Sequence, residues 1–221
     1  STDSVYEEEK CLVKSGKDSS GVGIGGHYDM LASEARLTSY LAIAAGDVPK
    51  KHWRSLSRML SETNGYSGLV SWSGSLFEYL MPNLLMPEIE NSLLYEANRY
   101  AVYCQQRYAK RRHLPWGISE STFYAFDESL NYQYKAHGVS TLGLKNGLGR
   151  ELVLSPYSSY LALCVEPAKT IRNLRRLSWL KGIQGKYGMY ESVDFTERRF
   201  AKSDDTHLSY RVCKTYMAHH M

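Results

Sequence analysis

The sequence lacks several patterns that would assign a function at once. None of its four cysteines belongs to a CxxC pair, which excludes a zinc knuckle and a thioredoxin motif. The glycines between positions 138 and 149 match neither GxGxxG nor GxxxxGK, so they indicate turns rather than a phosphate-binding loop. A GxSxG elbow is also missing, which leaves serine-nucleophile chemistry without support. No apolar run is long enough to span a bilayer.

A strong charge of one sign is missing as well. The 221 residues carry a net charge of +4, which is too small to imply a nucleic-acid partner. The basic runs at 110–112 and 172–176 are typical of solvated helix faces. The chain starts at Ser1 without a signal peptide. We therefore expect a piece of a longer protein, for which membrane association stays open.

Tyrosine is abundant, with 18 residues against 5 phenylalanines. Three segments, 71–79, 115–121 and 187–191, each place one carboxylate among aromatic and small residues. Aromatic faces stack on sugar rings, and paired carboxylates cleave glycosidic bonds. These three segments therefore indicate a carbohydrate site.

Hydrophobic periodicity predicts about six helices and no convincing series of strands. The predicted helices cover 28–45, 49–60, 87–113, 155–165, 167–181 and 208–219. Residues 61–76 are expected to form a loop or short hairpin, and Cys104 and Cys164 are expected to be buried on helix faces. The pattern predicts an all-α protein of helical hairpins, with a polar N-terminal arm over residues 1–27 and one domain over 28–221.

Five acidic residues are candidates for chemistry. Glu34 falls on the apolar stripe of its predicted helix, where burial would raise its pKa, although a structural salt bridge with Arg36 or with a basic residue of another helix would explain it equally well. Glu120 follows Trp116 in a loop, where an acid is either catalytic or a helix cap. Asp29 is either a catalytic acid or a helix-start acid. Glu78 and Glu191 lie between aromatic or small residues and could hydrogen-bond backbone or sugar hydroxyls.

The histidines do not predict a metal site. His219 and His220 are adjacent near the end of the sequence, and no HxxxH or HExxH spacing supplies further ligands. His219 lies on the inner stripe of the last predicted helix, which favours packing or hydrogen bonding. We therefore expect no metal and no organic cofactor.

Nine segments of the chain together resemble the glycoamylase-like domain of cyclic β-1,2-glucan synthases and related enzymes that act on β-1,2-glucan. The segments are YDMLASEARL (28–37), GDVPKKHW (46–53), SWSGSLFEYLMP (71–82), PWGISES (115–121), NYQYKAHGV (131–139), LGLK (142–145), SPYSSYLAL (155–163), GKYGMYESVDFT (185–196) and YMAHH (216–220). The resemblance runs from about residue 5 to the end and is specific, because several rare strings occur in order.

The resemblance implies an (α/α)6 toroid of helical hairpins around a cleft. Six helices are half of such a toroid, so we expect it to be incomplete here and truncated at the C-terminal end. The resemblance also implies that Glu120 is the general acid/base and Glu34 the second carboxylate, a nucleophile or base, with Glu191 and Asp29 as further catalytic candidates.

The implied partner is an oligosaccharide or polysaccharide. Aromatic residues form its expected platforms: Trp72, Trp116, Phe77, Tyr79, Tyr132, Tyr134 and Tyr190. Lys135 and Arg36 could orient carboxylates or hydroxyls, and Glu78 and His219 are further expected substrate contacts.

Three functions remain in competition at this point. The first is a β-1,2-glucan enzyme, either the cyclising transglycosylase module of a cyclic β-1,2-glucan synthase or an endo-β-1,2-glucanase. A synthase would place the domain on the cytoplasmic side of a bacterial inner membrane, and a hydrolase would place it in the periplasm or outside the cell. The second is a non-catalytic glucan-binding module. The third is a helical scaffold for protein partners, which predicts that the aromatic segments are buried.

Overall fold

The computed structural model describes residues 6–7, 10–17, 23–200 and 208–220. Six α-helices occur in this part of the chain: α1 (Arg36–Ala45), α2 (Lys51–Ser55), α3 (Leu76–Leu80), α4 (Leu93–Lys110), α5 (Pro156–Leu161) and α6 (Pro167–Ser178). Twelve short strands accompany them: β1 (Tyr6–Glu7), β2 (Leu12–Lys17), β3 (Gly23–Tyr28), β4 (Leu60–Thr63), β5 (Tyr66–Leu69), β6 (Ser121–Phe126), β7 (Tyr132–Lys135), β8 (Val153–Leu154), β9 (Gln184–Gly185), β10 (Gly188–Met189), β11 (Ser192–Asp194) and β12 (Arg211–Cys213). The predicted arm over 1–27 lies partly outside the described residues, and its described part contributes to β1, β2 and β3.

The prediction of an all-α fold, and with it the (α/α)6 toroid, is wrong. The structure has 35% helix and 22% strand, and is therefore mixed α/β. Its strands pair antiparallel in small sheets, of which the largest among the described residues are β1-β2-β3 and β12-β11-β8. Each strand has two to six residues, so a two-residue alternation is too short to stand out in the sequence.

The longest helix forms the centre of the core. Ser92 caps α4, because its Oγ accepts from the N–H of Tyr95 at 3.2 Å, so the helix begins at Leu93 and not at position 87 as predicted. Tyr100 and Cys104 are buried on the helix, as the apolar stripe predicted. The ring of Tyr100 packs so closely on β5 that a Cβ at Gly68 would lie 2.4 Å from it. Within the described residues, no helix has both the length and the apolar character to cross a bilayer.

The helix predicted over 28–45 is only partly present. α1 covers its second half and ends at Gly46, whose φ of 84° closes it as predicted. Tyr28 instead ends β3, and Met30 forms a bridge with Ser57. Leu31 N–H donates to Ser57 O at 3.1 Å, which takes this segment out of the helix. The segment between β3 and α1 is therefore an irregular turn.

The second predicted helix is also shorter than expected. α2 stops at Ser55, and β4 begins within the range predicted as helical. β4 and β5 form a hairpin across Asn64 and Gly65, both with positive φ. This hairpin confirms the prediction of a loop or short hairpin over 61–76.

The two helices predicted after residue 155 are present and adjacent. Pro156 and Pro167 occupy the first turns of α5 and α6, as expected for a residue that lacks an N–H. Arg172, Arg175 and Arg176 are exposed, so this basic run forms the predicted solvated face. Cys164, in contrast, is exposed and not buried as predicted.

The helix predicted over 208–219 is wrong. Residues 211–213 form β12, which pairs with β11 in the register Val193 to Val212. Val212 and Leu208 both pack against the small cluster around Ile183, so two apolar residues four positions apart share one environment without forming a helix. The chain then makes a single 3-10 turn over Ala218–His220.

Candidate active site

A cavity of about 430 Å³ gathers most of the predicted acids. The acids among its lining residues are Asp29, Glu34, Glu78 and Glu120. A groove of about 700 Å³ lies elsewhere, beside α1, α2 and the start of α4, and no predicted catalytic residue lines it. We place the functional site in the smaller cavity because the carboxylates converge there.

Glu34 lies in the turn before α1. Ser33 Oγ donates to its Oε2 at 3.2 Å. Burial raises the pKa of the Glu34 carboxyl, and the negative charges of Glu78 and Glu120 raise it further. A partly buried carboxyl with a raised pKa is suited to proton transfer.

Arg36 does not form the alternative salt bridge with Glu34 within the described part of the chain. Its Nη1 donates to the carbonyls of Ser33 and Glu78, at 3.0 and 2.8 Å. Its Nη2 donates to Tyr79 O at 2.5 Å. Burial lowers the pKa of Arg36 to about 10. The guanidinium therefore ties the turn that carries Glu34 to α3.

Asp29 lines the cavity and is exposed. Its main-chain carbonyl accepts from Ser57 N at 2.6 Å. It cannot be a helix-start acid, because α1 begins seven positions later at Arg36. Asp29 therefore presents a solvated carboxylate near Glu34.

Glu120 immediately precedes β6 in an anchored segment. Ser119 Oγ accepts from Phe77 N at 3.0 Å. The hydroxyl of Tyr157 lies 2.8 Å from both Ser119 Oγ and Glu120 O. These contacts fix the backbone from which the Glu120 side chain extends.

Two tyrosines connect Glu34 and Glu120 electrostatically. Burial raises the pKa of Tyr28, and the charges of Glu34 and Glu120 raise it further. Burial also raises the pKa of Tyr134, with Glu120 as the next cause and Glu34 as a weaker one. Both carboxylates therefore act on the same phenols, as expected for acids that share one cavity.

Glu191 and His220 form a buried pair. His220 Nδ1 lies 2.7 Å from Glu191 Oε1. The His220 ring stacks on Tyr157, with ring centres 3.6 Å apart and an interplanar angle of 15°. Nε2 of His219 and of His220 lie 3.2 and 3.4 Å from the hydroxyl of Tyr134. The Glu191 carboxylate is therefore paired with the His220 imidazole.

The carboxylate of Glu78 holds a loop together. It accepts from the hydroxyls of Ser71, Ser73 and Ser75, at 2.8, 2.6 and 3.1 Å. The main-chain N–H groups of Ser73 and Ser75 also donate to it, at 3.0 and 2.9 Å. With these five donors Glu78 supports the loop that presents Trp72 to the cavity, rather than offering a free carboxylate.

The same loop packs closely on the segment 138–145. Ser71 N donates to Leu142 O at 2.8 Å. A Cβ built on Gly138 would lie 1.7 Å from Ser73 O, which leaves no space for any other residue there. The position of the loop, and of its tryptophan, therefore depends on this glycine.

Three predicted aromatic platforms lie at the site. Trp72 lines the cavity and is 60% exposed. The ring centres of Phe77 and Tyr134 lie 6.4 and 5.8 Å from that of His219. These residues offer surface on which a sugar ring could stack.

The remaining predicted contacts have other surroundings. Tyr79 and Trp116 are buried in the core, and Tyr79 Oη donates to a main-chain carbonyl, so we remove both from the site. Tyr132 packs on Phe126, and Tyr190 packs on Tyr216. Lys135 Nζ contacts Glu151 at 2.9 Å and does not orient the cavity carboxylates.

Three residues of the site were not singled out as site residues from the sequence: Tyr28, Tyr157 and His220. Tyr28 and Tyr157 lie within segments that carry the family resemblance, so membership of those segments could have marked them as site residues. His220 was passed over because the helical spacing favoured its neighbour.

Comparison with known sequences identifies relatives. The Glycoamylase family model, which describes glucoamylase-like proteins, matches residues 26–221. The cyclic β-(1,2)-glucan synthase NdvB of Rhizobium meliloti (strain 1021) is 47% identical over 193 residues. That match covers 87% of this chain and 7% of the synthase, so the chain corresponds to a small part of that relative.

Solved structures share the fold. An endo-β-1,2-glucanase from Chitinophaga pinensis, in complex with sophorotriose and glucose, matches with a TM-score of 0.59 and 15% identity over 96% of this chain and 52% of its own. An endo-β-1,2-glucanase from Talaromyces funiculosus, in complex with sophorose, matches with a TM-score of 0.68 and 13% identity over 86% of this chain and 43% of its own. The chain spans about half the length of these enzymes. Because the family model covers most of its length, the chain belongs to the Glycoamylase family of glucoamylase-like proteins.

Proposed function

We propose that this chain acts on β-1,2-glucan as a glycosidase-type transglycosylase, of the kind that closes linear chains into rings. One observation carries the proposal. Glu34 and Glu120 line a common cavity in a chain that is 47% identical to part of a cyclic β-1,2-glucan synthase.

The chemistry uses the two carboxylates in turn. Glu34 attacks the anomeric carbon while Glu120 protonates the departing glycosidic oxygen, which breaks the C–O bond and leaves a glycosyl ester on Glu34. Glu120 then takes the proton of an acceptor hydroxyl, whose oxygen displaces Glu34. Two displacements return the β-configuration, as a ring with unchanged linkages requires. An acceptor from the same chain gives a ring, and water gives a linear product.

The raised pKa of Glu34 affects which of the two glutamates acts as nucleophile and which as acid/base. Its burial and its acidic neighbours favour the protonated form. A nucleophile must be ionised, so glucan binding must shift Glu34 towards ionisation if it attacks the anomeric carbon. The reverse assignment, with Glu34 as acid and Glu120 as nucleophile, is the alternative.

Chemical rescue separates the two assignments. We expect the Glu34→Gly variant to regain turnover of an activated β-glucoside when azide is added, with formation of the α-glycosyl azide. The Glu120→Gly variant should give the β-glycosyl azide, because azide then attacks the ester on Glu34. If Glu34→Gly gave the β-glycosyl azide and Glu120→Gly the α-glycosyl azide, Glu34 would be the acid/base and Glu120 the nucleophile.

A non-catalytic glucan-binding module is the second candidate, and an endo-β-1,2-glucanase is the close variant of the first. The exposure of Trp72 favours a glucan-binding surface over a scaffold with buried aromatic residues. Sugar contact alone, however, would not require two acids in the same cavity.

Incubation with linear β-1,2-glucan followed by mass spectrometry tests the proposal. Products lighter than their linear counterparts by one water, formed by the wild type and absent in Glu34→Gln and Glu120→Gln, are expected. Glu90→Gln, at an exposed position outside the cavity, is the matched control and should form the same products as wild type. Linear products would indicate the glucanase, and binding without any product would indicate the binding module.

A further inference from the structure

A carboxylate and two imidazoles converge next to the proposed catalytic pair. One ligand atom from each of Glu120, His219 and His220 lies within 4.8 Å of the other two. Two histidines and one carboxylate are a donor set that zinc uses in open sites. Sequence spacing does not indicate this set, because the 3-10 turn at the end of the chain brings two adjacent histidines to a distant acid.

His220 has the orientation of a metal ligand. Its Nδ1 faces the buried Glu191 carboxylate at 2.7 Å and therefore carries the ring proton. Nε2 is left as a lone-pair donor on the side of Tyr134. Histidines that bind metals almost always donate their second N–H to a carboxylate or carbonyl in this way. Stacking on Tyr157 fixes the plane of the ring.

The distances suit a tetrahedral ion. Zinc bonds of about 2.0–2.1 Å place neighbouring ligand atoms about 3.3 Å apart. The hydroxyl of Tyr134 lies 3.2 Å from Nε2 of His219 and 3.4 Å from Nε2 of His220. Its single hydrogen can be donated to only one of these nitrogens. These two oxygen-to-nitrogen distances match the spacing of neighbouring ligands around a tetrahedral zinc ion, and Glu120 contributes a ligand atom within 4.8 Å of both histidines.

We infer that Glu120, His219 and His220 form a binding site for Zn²⁺ or a similar borderline divalent cation, with Tyr134 or water as the fourth ligand. Imidazole ligands favour such ions over Mg²⁺. The cation engages the carboxylate of Glu120 and prevents it from exchanging a proton with a glycosidic oxygen, so zinc inhibits the enzyme. The inhibition rests on the proposed function, whereas the binding site does not.

Isothermal titration calorimetry on the EDTA-treated protein tests the site, with ZnCl₂ and MgCl₂ in separate runs. We expect one Zn²⁺ per chain and no comparable binding of Mg²⁺. His219→Ala, which removes an exposed ligand, should raise the Kd for zinc at least about 10-fold, and Glu191→Gln about 10- to 100-fold. His113→Ala removes an exposed histidine outside the cluster, and Cys164→Ser an exposed thiol. Both controls should keep the wild-type Kd.

Equal zinc binding by wild type and His219→Ala would overturn the site, as would no zinc binding or equal affinity for zinc and magnesium. The glucan assay is run separately. Inhibition that tracks the measured Kd and is reversed by EDTA supports the functional role, and an active protein that binds zinc without inhibition overturns that role. A protein inactive on glucan refutes the proposed function, while the calorimetric result on the site still stands.

Discussion

His220 Nδ1 lies 2.7 Å from Glu191 Oε1, and the two side chains are 2% and 3% exposed. So little water reaches this contact that the imidazole depends on the carboxylate for its hydrogen bond and its orientation. The pair joins the residue just before β11 to the 3-10 turn at the end of the chain, and places the second imidazole nitrogen towards Tyr134.

The Glu191→Gln variant tests how much this pair stabilises the fold. The amide keeps the shape of the carboxylate but removes its charge, so we expect the free energy of unfolding to fall by about 1–3 kcal/mol. Urea unfolding followed by circular dichroism measures it. Glu90→Gln, at an exposed position, should change it by less than about 0.5 kcal/mol. Equal stability of the two variants would contradict the role assigned to Glu191.

The raised pKa of Glu34 predicts a specific dependence of stability on pH. The folded state binds this proton more tightly than the unfolded chain, whose glutamate pKa is about 4.3. The resulting stabilisation is fully present below that value and is lost as the pH rises through the raised pKa. Glu34→Gln should remove this loss and be more stable than wild type at neutral pH.

Urea unfolding across the range from acidic to neutral pH checks this prediction. Glu128→Gln, at an exposed position on the turn between β6 and β7, should keep the pH dependence of the wild type. A Glu34→Gln curve parallel to that of the wild type would show that the carboxyl has no raised pKa.

Gly138→Ala should destabilise the protein by about 1–3 kcal/mol, as overpacking does. The added methyl group would lie 1.7 Å from Ser73 O, so the main chain of the loop that carries Trp72 must shift. Gly26→Ala is the control, because the methyl group added there would have no atom within 4 Å and the φ of Gly26 is ordinary. Comparable melting temperatures for the two variants would show that the loop yields easily.

Trp72→Ala should weaken glucan binding while leaving stability unchanged. An aromatic contact of this kind contributes about 0.5–1.5 kcal/mol, so the Kd for linear β-1,2-glucan should rise about 2- to 13-fold. Calorimetry in a Glu120→Gln background avoids turnover. Trp179 is 80% exposed and does not line the cavity, so Trp179→Ala should bind as the parent does. An equal loss in both variants would place the glucan elsewhere.

A helix was predicted from the sequence most successfully where a long apolar stripe repeats over several turns. α4 lies within the predicted range 87–113 because its buried face repeats over several turns, but it begins at Leu93, after the cap Ser92, and not at position 87. The range 28–35 has the same spacing but not the helix, because Ser57 supplies main-chain partners from a distant position. The spacing of apolar residues does not reveal a distant main-chain partner such as Ser57. The strands β8, β11 and β12 were missed for the same reason, because each pairs with a segment that is distant in the sequence.

The acids of the cavity were easier to predict from the sequence than their surroundings. Glu34 and Glu120 stood out by residue type and neighbours, and the structure places them in one cavity. Trp116 has the same aromatic character as Trp72, yet only the latter is exposed, because burial is decided by tertiary packing. His220 could not be separated from His219 until the final turn was known to be 3-10.

The wide separation of the site residues in the sequence has a consequence for synthesis. His220 lies 100 positions after Glu120, and it contacts Tyr134 across 86 positions. A ribosome that adds about 5–20 residues per second needs about 5–20 s to cover the distance from Glu120 to His220. During that interval a nascent chain already holds Glu34 and Glu120 without their histidine neighbours, so the complete site is acquired only at the end of translation of this segment.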